Sequence, residues 1–157
     1  MKFRLVDRLL VFEPGRRLIC RKSVSFEEYN LPIRLGQPEQ LPASLMLQSA
    51  LEGIHWLVAL SSDFQEGWLP ESIDRIEFKG ALRPGESMEL EVRMTSDHNV
   101  FSVIGRVDKR PILEVLGASG FRTPLSELLD PHYMQTLTAE IAVPEVRQAA
   151  GVTIQPA

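Results

Sequence analysis

Ala43-Ser44-Leu45-Met46-Leu47-Gln48-Ser49-Ala50-Leu51-Glu52-Gly53-Ile54-His55-Trp56-Leu57-Val58-Ala59-Leu60 runs without a proline and is mostly apolar around its whole circumference. A helix with no wide polar face has no side to offer to water, so this stretch reads as a buried helix. Pro42 sits at its first turn, where a missing N–H costs nothing, and Ser61-Ser62-Asp63 ends the pattern.

Upstream, residues 29–42 carry Pro32, Gly36, Pro38 and Pro42, which rules out a regular element there. Before that loop, residues 9–25 alternate apolar and polar and are broken once at Glu13-Pro14-Gly15. The pattern fits a strand hairpin or a helical turn leading into a strand. Downstream the chain is strand-like. Residues 72–82 lead into the turn Arg83-Pro84-Gly85-Glu86, and in residues 87–95 Met88, Leu90, Val92 and Met94 alternate with Glu89, Glu91 and Arg93. That period of two is the clearest secondary-structure signal in the chain. Residues 100–107 and 111–122 supply two further strands around Asp108-Lys109-Arg110.

Consecutive antiparallel strands leave one face to bury, and the helix after Pro42 is the large apolar element available to cover it. The expected class is α+β, a curved antiparallel sheet wrapped around a buried central helix. Residues 1–143 form the domain, including a helical segment from about residue 124 that breaks at Pro131, and residues 144–157 are expected to fray.

Composition narrows the function classes. With 157 residues, 44% hydrophobic and 24% charged, the chain has the make-up of one soluble domain with a sizeable core. A net charge of −4 repels a polyphosphate, so nucleic acid is not an expected partner. The basic groups Arg16, Arg17, Arg21 and Lys22, and again Arg106, Lys109 and Arg110, offer local docking for an acidic protein or a phosphate, or simply solvated strand faces. Cys20 has no second cysteine to pair with and reads as a buried, inert thiol; no metal or cofactor is expected. No stretch approaches the roughly 20 apolar residues of a membrane span, and the first residues are charged without an apolar run behind them, so the expected location is cytoplasmic.

Local motifs sharpen the fold. Phe3-Arg4-Leu5-Val6-Asp7-Arg8 followed by Glu13-Pro14-Gly15, and Phe78-Lys79-Gly80-Ala81-Leu82-Arg83-Pro84-Gly85-Glu86 followed by Leu90-Glu91-Val92, resemble the (3R)-hydroxyacyl-acyl-carrier-protein dehydratases, which have the hotdog fold. The resemblance spans about residues 3–121. It implies a dimer formed by sheet pairing and an acyl thioester, on acyl carrier protein or coenzyme A, as ligand. The family's motif reads histidine, phenylalanine, proline, glycine, any residue, proline, any residue, methionine, proline, glycine. A helix bearing a catalytic glutamate follows it.

Laid without a gap so that Pro42 matches the last proline, Arg34 falls on the catalytic histidine. The substrate-lining positions fall on Leu35, Gly36, Gln37, Leu41, Pro42 and Ala43, and the middle proline on Glu39. The catalytic glutamate position holds Gln48, and the glutamine one turn beyond it holds Glu52. Dehydration needs a group that takes a proton and one that returns it. A guanidinium stays charged and a carboxamide does not titrate, so the family's mechanism has no acid–base pair at these positions.

Glu52 and His55 lie three apart on the helix and share a face, which allows a relocated acid–base pair or a buried hydrogen-bonding pair. Trp56 and Trp68 suit an acyl pocket or the core, and Lys79 and Arg83 a phosphopantetheine phosphate or a solvated strand end. His98 and His132 fall in turn or surface contexts. The expected function is an acyl- or acyl-carrier-protein-binding subunit with impaired catalysis, paired with itself or with an active paralogue. The alternative is an active dehydratase or acyl thioesterase using Glu52 and His55.

Overall fold

The computed structural model describes residues 4–26, 36, 39–97 and 99–154. Strands β1 (Arg8–Glu13) and β2 (Arg17–Ser23) precede helix α1 (Ala43–Ser61). Strands β3 (Glu66–Phe78), β4 (Ser87–Met94), β5 (Val100–Val107) and β6 (Arg110–Pro124) follow, and helices α2 (Leu125–Leu128), α3 (Pro131–Ile141) and α4 (Pro144–Ala149) close the chain. The strands form one six-stranded sheet in the order β1-β2-β4-β5-β6-β3. Every neighbouring pair is antiparallel.

The alternation in the sequence decides which face is wet. In β4 Met88, Leu90 and Val92 are buried, and register places them beside Lys22, Cys20 and Leu18 of β2. On the other side Val92 meets Val103 and Leu90 meets Gly105 of β5. These rows form the concave face, and α1 lies on it. The closest approach is at Gly53, where an added Cβ would stand 3.0 Å from Val92 Cγ2 and 3.3 Å from the Cys20 sulfur. A residue with no side chain is what lets the helix sink that far into the sheet.

The β1–β2 connection is the hairpin, with Gly15 at φ 67° and Arg16 N–H donating to Glu13 O at 3.1 Å. Between β5 and β6, Asp108 and Lys109 make a two-residue turn with φ of 48° and 67°, the left-handed pair that matches strand twist.

The structure departs from the sequence reading in four places. The strand expected from residue 72 begins at Glu66 and runs through Pro70. Proline is tolerated because β3 is an edge strand and its register shifts between Pro70 and Ser72. Second, α1 is buried all round only in its later turns; Ala43, Ser44 and Gln48 are exposed. Third, residues from Pro144 onward do not fray at once: α4 forms there, with Val146 and Ala150 buried. Small and medium apolar groups suffice to dock a short helix whose first residue is a proline. Fourth, α1, at 19 residues, is long and apolar enough to cross a membrane by length and composition alone. Its apolarity is spent against the sheet. At Pro131 the expected break is a restart, with the Asp130 carboxylate accepting from His132 N–H at 2.9 Å as the cap of α3.

Candidate functional site at the start of the central helix

Of the motif positions, Arg34, Leu35 and Gln37 lie outside the described residues, as does His98. Gly36 is exposed at φ 79°, and no atom of the described residues lies within 4 Å of where a Cβ would stand. Leu41 is buried and its N–H donates to Leu82 O at 2.8 Å, which ties the loop to the β3–β4 connection just before the helix. Pro42 caps the helix, Glu39 and Ala43 are exposed, and the first turn holds no acidic side chain. Gln48, one turn on, faces outward and its carboxamide has no hydrogen-bond partner among the described residues.

Glu52 and His55 turn the other way. The Glu52 carboxylate accepts from the N–H of Leu5 at 2.8 Å and of Val6 at 3.3 Å, pinning residues 4–7 across the helix. Burial pushes its pKa up, against the opposing pull of those two N–H groups and the Trp56 side chain. His55 instead faces β3: its Nδ1 lies 3.2 Å from both the N–H and the carbonyl oxygen of Trp68. With Nδ1 accepting that N–H, the proton sits on Nε2, which is buried and has no partner among the described residues. Burial holds the imidazole below its ordinary range, so the ring is neutral.

Gly67 makes room for the ring; an added Cβ there would come within 2.6 Å of Leu128 Cδ1 and 3.1 Å of His55 Cε1. The two residues thus share a helix but not a site. One serves the N-terminal strap and the other the β3 backbone.

Both tryptophans are core: Trp56 and Trp68 are buried, and Trp68 stands edge-on to Phe101 with ring centroids 5.6 Å apart. Cys20 is buried, its thiol pushed up by burial and by the Glu52 and Glu89 carboxylates. Lys79 pairs with Glu114 at 3.0 Å, while Arg83 remains exposed at the turn. The basic group around β2 is offset in part: Arg17 bridges Glu13 at 2.9 Å and Glu91 at 3.3 Å, and Arg16 reaches Glu13 at 3.5 Å.

Two features escaped the sequence reading. Lys22 is only 5% exposed and sits on the concave face, its Nζ donating to Ser23 O at 2.8 Å. The alternation Leu18, Cys20, Lys22, Val24 carried that signal. The other is β3, where Ile76 pairs with Val115 and Phe78 with Leu113, on the face those buried residues fill. Yet Ile76 and Phe78 are 38% and 45% exposed. The helix meets β3 at Trp68 and leaves the later part of the strand, around Ile76 and Phe78, uncovered. A groove of about 490 Å³, bordered by Asp63, His132 and Gln135, lies at the far end of α1. At about 1.5 Å per residue that is some 20 Å along the axis from Gln48.

No family model matches the chain. Among solved structures it is similar to a Streptococcus mutans protein bound to acetyl CoA, with a TM-score of 0.60 at 16% identity over 79% of this chain and 93% of that one. It is also similar to the dehydratase heterocomplex ApeI:P from Xenorhabdus doucetiae, with a TM-score of 0.54 at 13% identity over 67% and 88%. A curved antiparallel sheet closed on one central helix, shared at this level of superposition, is the hotdog fold.

In sequence the chain is 28% identical over 120 residues to the 3-hydroxyacyl-acyl-carrier-protein dehydratase FabZ of Anaeromyxobacter, covering 71% of this chain and 76% of that protein. It is 32% identical over 98 residues to the enzyme of the same name from Symbiobacterium thermophilum, covering 60% and 67%. The chain belongs to the 3-hydroxyacyl-acyl-carrier-protein dehydratase-like hotdog family.

Proposed function

We propose that this protein binds an acyl thioester, on acyl carrier protein or coenzyme A, as a catalytically impaired subunit of fatty-acid or related acyl-chain metabolism, working in the cytoplasm. The observation that carries the reading is Gln48. It stands exposed near the start of α1, with a carboxamide where the family resemblance puts a proton-transferring carboxylate. A group that cannot titrate contributes no acid–base step.

Support also comes from what surrounds it. Glu52, the nearest carboxylate along the helix, spends its oxygens on the amides of Leu5 and Val6, and His55 is a neutral ring held against Trp68. For Glu52 to act on a thioester its structural hydrogen bonds would have to be given up first, and the His55 Nε2 is buried. Hence the relocated-pair enzyme is the weaker reading.

The bare edge of β3, with Ile76 and Phe78 open on the concave side, supports pairing of that strand with a second hotdog chain, either a copy or an active relative. The dehydratase heterocomplex among the structural neighbours agrees with such an assembly.

The purified chain, alone and mixed with an active dehydratase, should be titrated with 3-hydroxyacyl and 2-enoyl thioesters of several chain lengths on both carriers. Saturable binding without loss or gain of water and without thioester hydrolysis is the expected result. Turnover by the chain alone that disappears on Glu52→Gln would overturn the impaired reading, and failure to bind any acyl thioester would overturn the ligand class.

A further inference from the structure

A sheet of this kind has two free edges, β1 and β3, and they are treated differently. At the start of β3 the N–H groups of Glu66 and Trp68 are taken by Ser62 Oγ at 3.0 Å and His55 Nδ1 at 3.2 Å, and beyond Trp68 the strand is largely exposed. Beside β1, however, the end of the chain returns: Ala142 forms a parallel bridge with Leu9, and Val143 N–H donates to Leu9 O at 3.0 Å.

Directly after this contact Pro144 starts α4, which packs on β1 and buries Val146 and Ala150. Ile141 and Ala142 are buried as well, and Arg147 ties the unit back to α3 through the Ala139 carbonyl at 3.1 Å. A short strand, one bridging residue pair and a helix laid across it are recognised means of keeping an edge from pairing with another chain.

We infer that residues 142–152 act as a built-in cap on β1, so that sheet-to-sheet association is confined to β3 and the assembly closes at two chains instead of growing from both edges. Residues 9–12 supply apolar side chains along the capped strand, Leu9 and Phe12 buried and Leu10 and Val11 half-buried. Uncapped, β1 would be a second sticky edge.

Two variants test this. A chain ending at Ile141 removes the cap. Val143→Pro removes a single N–H: Val143 already has φ −65° and ψ 158°, and Ala142 before it has φ −81° and ψ 140°, so proline fits the backbone as it stands.

The shortened chain should show a mass by sedimentation that climbs with concentration past that of the full chain, and Phe78→Asp, which attacks the other edge, should not suppress the climb. In Val143→Pro, amide exchange in β1 and α4 should quicken by about tenfold or more while β4 and β5 hold. A shortened chain that melts cooperatively at the full chain's mass would overturn the inference. If the shortened chain does not fold, Val143→Pro decides: unchanged exchange in β1 overturns it and the localised quickening upholds it.

Discussion

Residue by residue, the chemistry of the helix face turns on which carboxylate is free. If Arg34 and Gln48 occupy the family's proton-transfer positions, the pair Arg34→His and Gln48→Glu restores both groups. Water elimination from a 3-hydroxyacyl thioester should then rise by about 100-fold or more over the parent, with each single change giving far less, since acid and base act as a unit. Steady-state assays of the four proteins check it.

Glu52 makes the opposite prediction. Glu52→Ala leaves the Leu5 and Val6 amides without their acceptor and should cost about 1–3 kcal/mol in chemical denaturation. Its titration has a definite sign. Burial raises the pKa in the folded protein above its ordinary value of 4.5, so the folded state holds the proton that the unfolded state releases. The wild type should therefore gain on Glu52→Gln as pH is lowered into the window above 4.5, and lose that gain as pH rises through the folded value. Paired melting curves across that range read it directly.

At the scale of elements, the packing of α1 on the sheet is the tightest joint. Gly53→Ala pushes a methyl to within 3.0 Å of Val92 and 3.3 Å of Cys20 and should cost about 1–3 kcal/mol. Adding Val92→Ala should return part of that loss, a non-additivity visible in denaturation midpoints. The helix and the four strands from residue 72 onward were legible because their signals are local: an apolar run after Pro42, strict alternation in β4, a proline-glycine turn; residues 9–25 left a strand hairpin and a helical turn leading into a strand both open.

What was not legible depends on neighbours. Pro70 sits inside β3 only because no strand lies beyond it, and nothing in residues 66–71 announces an edge. Past Pro144 a helix of modest apolarity exists because β1 is there to receive Val146 and Ala150. Likewise Glu52 and His55 looked like one pair by spacing. Their separation is set by two tertiary partners, the strap at Leu5 and Val6 and the backbone of Trp68, which the helix does not contain.

For the whole molecule, the asymmetry of its two edges is the organising fact. Phe78→Asp places a charge on the concave side of β3, where an apolar ring is 45% exposed, and should leave the fold intact while shifting a paired species to single chains. Mass measured by light scattering against concentration checks it, and an unchanged mass would locate the pairing elsewhere.

The irregularity at Pro70 also sets a limit on what β3 can become. Proline lends no N–H to a new neighbour, and the register shift beside it leaves residues 72–78 as the regular run, carrying Asp74, Arg75 and Glu77. So short and so charged a template can seat one chosen strand, yet it is a poor seed for the endless stacking that builds amyloid.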